Sequence, residues 1–351
     1  MGKIKWVCIL LLLTSKSIQS QINVNSVIQE KIDSIHKTNK IPGILIATSI
    51  KGKHQFFTSG SANKKNNQSF SKDTQFEIGS ITKTFTAFIL ESVLQSKNIA
   101  DTSSIFRFLP DSLRTNTALQ SFQFIQLLNH TSGLPRLPDN MGTPVNFLQP
   151  YASYKKEDLY AFLSSYEVKP SNSVIYSNLG VGLAGVLAEN ISGSNYEHLL
   201  NKYINKPFGL KNTGVSLANK RPKATGYFNN QEALYWDMNV LVGAGGIKSD
   251  AKDILNYLDF IAKHQSTPII NSILQKSSKV NNQISVAKAW HTIEKNNQTF
   301  LYWHNGGTYG FSTFCAFNPI NHNSILIVIN AFNQNSTADR LGIEIMTSIL
   351  N

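Results

Sequence analysis

The chain has 351 residues, 41% of them apolar, enough to bury a large core in one domain or two interleaved ones, which excludes a disordered chain. Its formal net charge of +12 includes Lys3, Lys5 and Lys16; without residues 1–20, which hold no acid, +9 remains. That surplus reads as a solvated basic surface able to sit near anionic cell-wall polymer, and with no basic run interleaved with aromatics and no fixed-period repeat it argues against a nucleic-acid binder or a repeat protein.

The first twenty residues read as a secretory signal. "MGKIK" supplies the positive start, "WVCILLLLTS" an apolar run of about ten residues, and "SKSIQS" a small polar stretch with cleavage after Ser20. A retained anchor is the competing reading, but the run is too short to span a bilayer and no later stretch reaches the ~18 apolar residues a span requires. The expectation is an exported protein, periplasmic or extracellular, with a signal over residues 1–20, a single domain over 21–351 and no membrane span after processing. Cys8 leaves with the signal, so Cys315 has no disulfide partner and the fold must hold by core packing.

Residues 23–38 carry Val24, Val27, Ile28, Ile32 and Ile35 at helical spacing, which predicts an amphipathic opening helix. "GILIATSI" and "HQFFTSGSA", separated by "KGK", predict a hairpin. Between about 80 and 270 the helical period dominates, in "TKTFTAFILESVLQS", "SFQFIQLLNH", "KKEDLYAFLSSY", "VGLAGVLAENIS", "NYEHLLNKYI" and "DAKDILNYLDFIA". Strands return in "QISVAKAWHTIE", "QTFLYWH", "FSTFCAFN" and "SILIVINAF", with "PINHNS" as a hairpin loop, before a last helix near 336–350. Strands at both ends argue for an α+β fold. One antiparallel sheet is built from the two termini and flanked by terminal helices, with a mainly helical subdomain inserted over about 80–270.

Three segments carry chemistry. In "FEIGSITKTF" a helix would put the Lys83 ammonium beside the Ser80 hydroxyl, three residues away on one face. A serine hydroxyl needs such a base or charge to become a nucleophile, and a helix start adds unpaired backbone N–H groups. Alone, Ser-x-x-Lys reads equally as a helix cap beside an exposed lysine. In "VIYSNLGVG", Tyr176 and Asn178 flank Ser177 and can face one cleft. Tyr176 could move the serine proton as phenolate or through a hydrogen-bond chain, and Asn178 could orient Lys83 and bind a substrate carbonyl. In "WHNGGTYGFSTF", Gly306 and Gly307 let a ligand backbone lie close, and the N–H groups of Ser80 and Gly307 would form a two-donor oxyanion hole. His304 could donate to a substrate carboxylate or to Tyr176.

In this order, "SITK", "YSN" and "HNG" resemble the three motifs of the serine β-lactamases and penicillin-binding proteins, Ser-x-x-Lys, Ser/Tyr-x-Asn and Lys-Thr-Gly. The tyrosine form resembles the class C β-lactamase branch with its D-alanine carboxypeptidases, D-aminopeptidases and esterases. "IPGILIA", "LLNHTSGLP", "ATGY" and "GAGGIKSDAKDI" extend the likeness over roughly 25–348. The resemblance implies that Ser80 is acylated with help from Lys83, that Tyr176 is the acid/base serving leaving group and water, that Asn178, His304 and Gly306 line the substrate site, and that Ser80 and Gly307 hold the oxyanion. It implies a small-molecule or short-peptide substrate and no metal or other cofactor; the eight histidines show no zinc spacing.

Two departures matter. His304 and Asn305 stand where lysine and threonine are usual, so a mostly neutral group replaces a permanent cation and the grip on a β-lactam carboxylate should weaken. That shifts weight toward peptidase or esterase action. "VAKAW" at 286–290 stands where relatives carry Gly-Leu-Gly-Trp, so Lys288 either stiffens a strand or adds charge near the cleft. The reading from another class is a non-catalytic module that keeps the fold and captures peptidoglycan or another ligand without turnover.

Overall fold

The computed structural model describes residues 24–167 and 173–350; the expected leader over residues 1–20 lies outside them. The fold is α+β. Helix α1 (24–39) leads into β1 (Gly43–Ile50) and β2 (Lys53–Gly60). Lys51 and Gly52 join these strands in a two-residue turn, both at positive φ (52° and 77°), the conformation whose twist matches a hairpin.

After β3 (Phe76–Glu77) come α2 (Thr82–Ser96), α3 (Phe124–Leu128), α4 (Lys156–Ser165), α5 (Asn178–Ser192), α6 (Tyr196–Leu200) and α7 (Lys206–Phe208). The hairpin β4 (Gly226–Phe228) and β5 (Gln231–Ala233), α8 (Val242–Gly245), β6 (Lys248–Ser249), α9 (Ala251–Lys263) and α10 (Pro268–Leu274) follow. The chain ends with β7 (Ser278–Lys279), β8 (Ile284–Val286), β9 (His291–Lys295), β10 (Gln298–Gly307), β11 (Ser312–Phe317), β12 (Ser324–Ile329) and α11 (Asn335–Ser348). Among the described residues the main sheet has eight antiparallel strands in the order β2-β1-β12-β11-β10-β9-β8-β7, so the first and last strands of the chain pair side by side, one strand in from the β2 edge.

Alternation along these two strands decides which face each side chain covers. Ile44, Ile46, Ile325 and Ile327 pack with Ile28 and Ile32 of α1 and Leu341 and Ile345 of α11. Leu45, Ala47, Leu326 and Val328 face the other way, into a larger core shared with α2, α5 and α9. Helix α2 is buried almost all round. Its threonines return their hydroxyls to the helix itself, Thr84 to the Ile81 carbonyl at 2.9 Å and Thr86 to the Thr82 carbonyl at 3.2 Å, so a polar sequence can run through the core.

Two elements differ from the sequence reading. The helix expected over 121–130 is confined to Phe124–Leu128. Residues 117–121 form a 3-10 turn, and the Gln123 N–H donates to Gln126 Oε1 at 2.9 Å to cap the short helix. The continuous strand expected over 283–294 is two strands with "AKAW" (287–290) as the turn between them, closed by the Ala287 N–H donating to the Trp290 carbonyl at 2.8 Å with Ala289 at φ 60°. Lys288 is drawn out of the ladder into the core, where Nζ meets Glu91 Oε2 at 2.8 Å, Asp101 Oδ2 at 2.5 Å and Ser272 Oγ at 2.5 Å. The lysine therefore braces the sheet against α2 and adds no charge to the cleft.

Candidate active site

Ser80 sits in a 3-10 turn, Gly79–Ile81, that runs straight into α2, where first-turn N–H groups lack helical acceptors. One turn on, Lys83 is fully buried. Its Nζ lies 2.8 Å from Ser80 Oγ and donates to the Ala244 carbonyl at 2.5 Å. Burial, and then the charge of Arg136, hold the amine well below the ordinary lysine value of 10.5. A neutral amine offers a lone pair to the serine proton.

Tyr176 precedes α5, whose Ser177 cap accepts from the Gly180 N–H at 2.8 Å and donates to the Pro135 carbonyl at 2.7 Å. This cap fixes the direction in which Tyr176 enters the site. Its hydroxyl is hydrogen-bonded to Ser80, and Lys83 Nζ is 5.0 Å from the ring centroid. Burial outweighs the Ser80 bond and the Arg136 charge and pushes the phenol up to about 12. Tyr176 is therefore a neutral phenol at physiological pH, which favours the hydrogen-bond chain over the phenolate.

Asn178 is buried at the start of α5, but its Oδ1 has no partner among the described residues. Lys83 is held by the Ala244 carbonyl of the "GAGG" turn, and Asn178 does not orient it. A backbone acceptor leaves no side-chain signature, which is why the sequence did not show it.

Strand β10 brings the third segment. A methyl built on Gly79, whose φ is 52°, would stand 2.7 Å from the Gly307 nitrogen, so the serine turn and the end of β10 meet backbone to backbone. The Asn335 amide donates to the Gly306 carbonyl at 2.7 Å and steadies that end. Beyond it, Thr308 donates to Glu77 Oε2 at 2.7 Å, tying the β10–β11 turn to β3. Asn305, one residue out of phase, faces α11 and donates to Asp339 Oδ2 at 2.7 Å.

His304 is wholly buried, and burial lowers its pKa well below 6.5. Its Nδ1 lies 2.5 Å from the Asn305 carbonyl, an oxygen that only accepts, so Nδ1 carries the proton and the unpartnered Nε2 is a bare lone pair. In this state His304 cannot donate to a substrate carboxylate, and with ring centroids 6.3 Å apart it shapes the floor beside Tyr176.

Two more histidines surround the phenol. His130 sits 4.6 Å ring to ring from Tyr176 and accepts from the Ser177 N–H through Nδ1 at 3.2 Å; burial drives it down to about 3. His291 lies 5.2 Å from His304 and falls to about 4 for the same reason. All three rings stay neutral beside Lys83. They come from distant segments. His304 was a candidate from the sequence, and His130 lies in "LLNHTSGLP", one of the stretches that carry the family resemblance, whereas His291 had no functional reading. Among the described residues no group of His, Cys, Asp or Glu is arranged to hold a metal ion.

The β10–β11 turn also carries an aromatic wall. Tyr309 stacks on Phe147 at 5.3 Å and meets Trp236 at 5.0 Å and Phe228 at 4.9 Å, while Phe147 remains 57% exposed. Along β10 the order is His304 with Tyr176 beside it, then Gly307, then this wall.

The β-lactamase family model matches residues 27–346. A β-lactamase of Providencia stuartii is 28% identical over 292 residues, covering 81% of this chain and 68% of that one. One of Pseudomonas fluorescens is 28% identical over 248 residues, 68% of this chain and 64% of that one. Among solved structures, a β-lactamase/D-alanine carboxypeptidase from Pseudomonas syringae superposes with a TM-score of 0.79 at 22% identity, over 93% of this chain and 99% of its own. A class C β-lactamase from Rhodobacter sphaeroides gives 0.79 at 21% identity, over 94% and 100%. Fold and family model agree, and the chain belongs to the β-lactamase family.

Proposed function

We propose that this chain is an exported serine hydrolase that passes the acyl group of a β-lactam, a D-amino-acid peptide or an ester first to Ser80 and then to water. The observation that carries the reading is the 2.8 Å contact between Ser80 Oγ and a fully buried lysine held well below its ordinary pKa. Neutral Lys83 takes the serine proton as Oγ bonds to the substrate carbonyl carbon. The N–H groups of Ser80 and Gly307 hold the oxyanion; one such donor is worth about 10² to 10³ in rate. As the bond to the leaving group breaks, Tyr176 delivers a proton to the departing nitrogen or oxygen and is re-supplied by Lys83. Water then enters by the reverse relay, frees the acid and restores Ser80.

Asn178, with an unpartnered buried Oδ1, is suited to an amide N–H of the substrate, whereas Gly306 serves the close packing of β10 on the serine turn, since a side chain there would run into the Ile78 carbonyl and Thr313. The order along β10 directs the leaving group toward Tyr176 and the acyl group toward the wall at Tyr309, which suits an apolar or aromatic acyl chain. A neutral His304 supports peptide or ester turnover over strong β-lactam hydrolysis. The first twenty residues support export to the periplasm or exterior, residues 21–351 then forming one hydrolase domain, and the positive net charge supports retention by an anionic wall polymer. The competing reading, a non-catalytic ligand-binding module, gives no reason for a neutralised lysine against a serine. Trapping and mapping an acyl adduct on Ser80 separates the two.

A further inference from the structure

With His304 uncharged, a different residue supplies a permanent cation at the mouth of the site. Arg136 directly follows "SGLP", and its carbonyl accepts from the N–H groups of Asn178 at 3.0 Å and Leu179 at 3.2 Å, which anchors its backbone to the start of α5. Its side chain is exposed, and the guanidinium carbon lies 5.2 Å from the centroid of the Tyr176 ring. Among the described residues the guanidinium forms no ion pair. Its charge reaches into the site, lowering the pKa values of both Lys83 and Tyr176. A planar fork of five N–H donors thus stands on the face of the phenol, paired with no carboxylate of its own.

We propose that Arg136 binds a carboxylate carried on the leaving group of the substrate, so that the reaction class this site favours releases an amino acid, a hydroxy acid or a phenol bearing a free carboxylate. The inference rests on the Ser80 and Tyr176 roles set out above. Because the departing atom takes its proton from Tyr176, the leaving group must lie along that side chain, and a carboxylate a few bonds beyond the departing atom then comes to the guanidinium. Arginine matches this geometry with two parallel N–H···O bonds. His304 is neutral and wholly buried and offers the same anion no charge, so recognition moves from β10, where the family resemblance puts it, to Arg136.

The test uses two esters with one acyl group and a phenol leaving group, bearing either a meta carboxylate or a meta carboxamide. They are assayed at a pH on the activity plateau with wild type, Arg136→Gln and Arg136→Lys. The expected result is a wild-type preference for the carboxylate ester, and a fall of about tenfold or more in its kcat/KM in Arg136→Gln, mostly through KM. The carboxamide ester should change less than about twofold, Arg136→Lys should rescue part of the loss, and added salt should shrink the preference. An equal fall for both esters, or no preference in wild type, overturns the proposal, the first outcome assigning Arg136 to tuning Lys83 and Tyr176. Ser80→Ala is run alongside: if it keeps the turnover of wild type, the Ser80 reading fails and this proposal with it. Loss of turnover in Ser80→Ala without a charge preference sinks the Arg136 assignment alone.

Discussion

Gly79 and Gly307 touch through their backbones, with 2.7 Å between the Gly307 nitrogen and the point where a Gly79 side chain would begin. This contact joins the nucleophile's turn to the strand that supplies the second oxyanion donor. Gly79→Ala must both push β10 away and force an alanine into φ near 52°. We expect kcat/KM to fall by about 10² or more, the loss associated with one donor, with destabilisation of about 1–3 kcal/mol from the strained backbone. Steady-state kinetics and thermal unfolding of the variant check both numbers.

The pH profile should be one-sided. Activity needs neutral Lys83, so it is present above that group's lowered pKa and lost as pH falls through it. It also needs the protonated phenol of Tyr176, which is pushed up to about 12, so no alkaline fall should occur up to pH ~10. A kcat/KM profile with an acid limb well below 10.5 and a flat alkaline side fits; a bell that closes near pH 9 contradicts the assignment.

Lys288 should matter for stability and not for chemistry. Its Nζ neutralises Glu91 and Asp101 in a buried cluster remote from the cleft. Lys288→Met leaves two carboxylates without a counter-charge and should cost roughly 3 kcal/mol in urea unfolding. The further changes Glu91→Gln and Asp101→Asn should recover most of it, and kcat/KM of the folded fraction should stay within about twofold throughout.

The aromatic wall predicts acyl selectivity. Tyr309→Ala removes the ring that Phe147, Phe228 and Trp236 surround. For an ester with an aromatic acyl group kcat/KM should drop about three- to tenfold, the value of one aromatic contact, while an acetyl ester with the same leaving group is nearly unaffected. Equal losses on both would place the wall's role in folding.

Much of this site could be read along the chain because its chemistry is local. Ser80 and Lys83 are three apart on a helix, and the two faces of the central sheet follow from Ile44–Ala47 and Ile325–Ile329 alternating. What escaped was set by the fold. Ala244 acts through its carbonyl, which any residue carries. His130 and His291 meet Tyr176 and His304 only when α3, β9 and β10 converge. Lys288 read as a strand residue because its partner Glu91 is 197 positions away. Arg136 belongs to none of the three motifs, and its place over the Tyr176 ring is set by the fold. His304 was correctly expected to be neutral, but its tautomer depends on the Asn305 carbonyl, a contact that residue type does not encode.

The central claim is that the Ser80 oxygen, unmasked by a neutral lysine, becomes covalently acylated. Peptide mass mapping after incubation with a fluorophosphonate and, separately, with a fluorescent penicillin tests it most directly. The account predicts stoichiometric fluorophosphonate adduct on Ser80, absent in Ser80→Ala and strongly slowed in Lys83→Met. Folded wild-type protein that takes up neither probe, or carries the adduct on another residue, would contradict it.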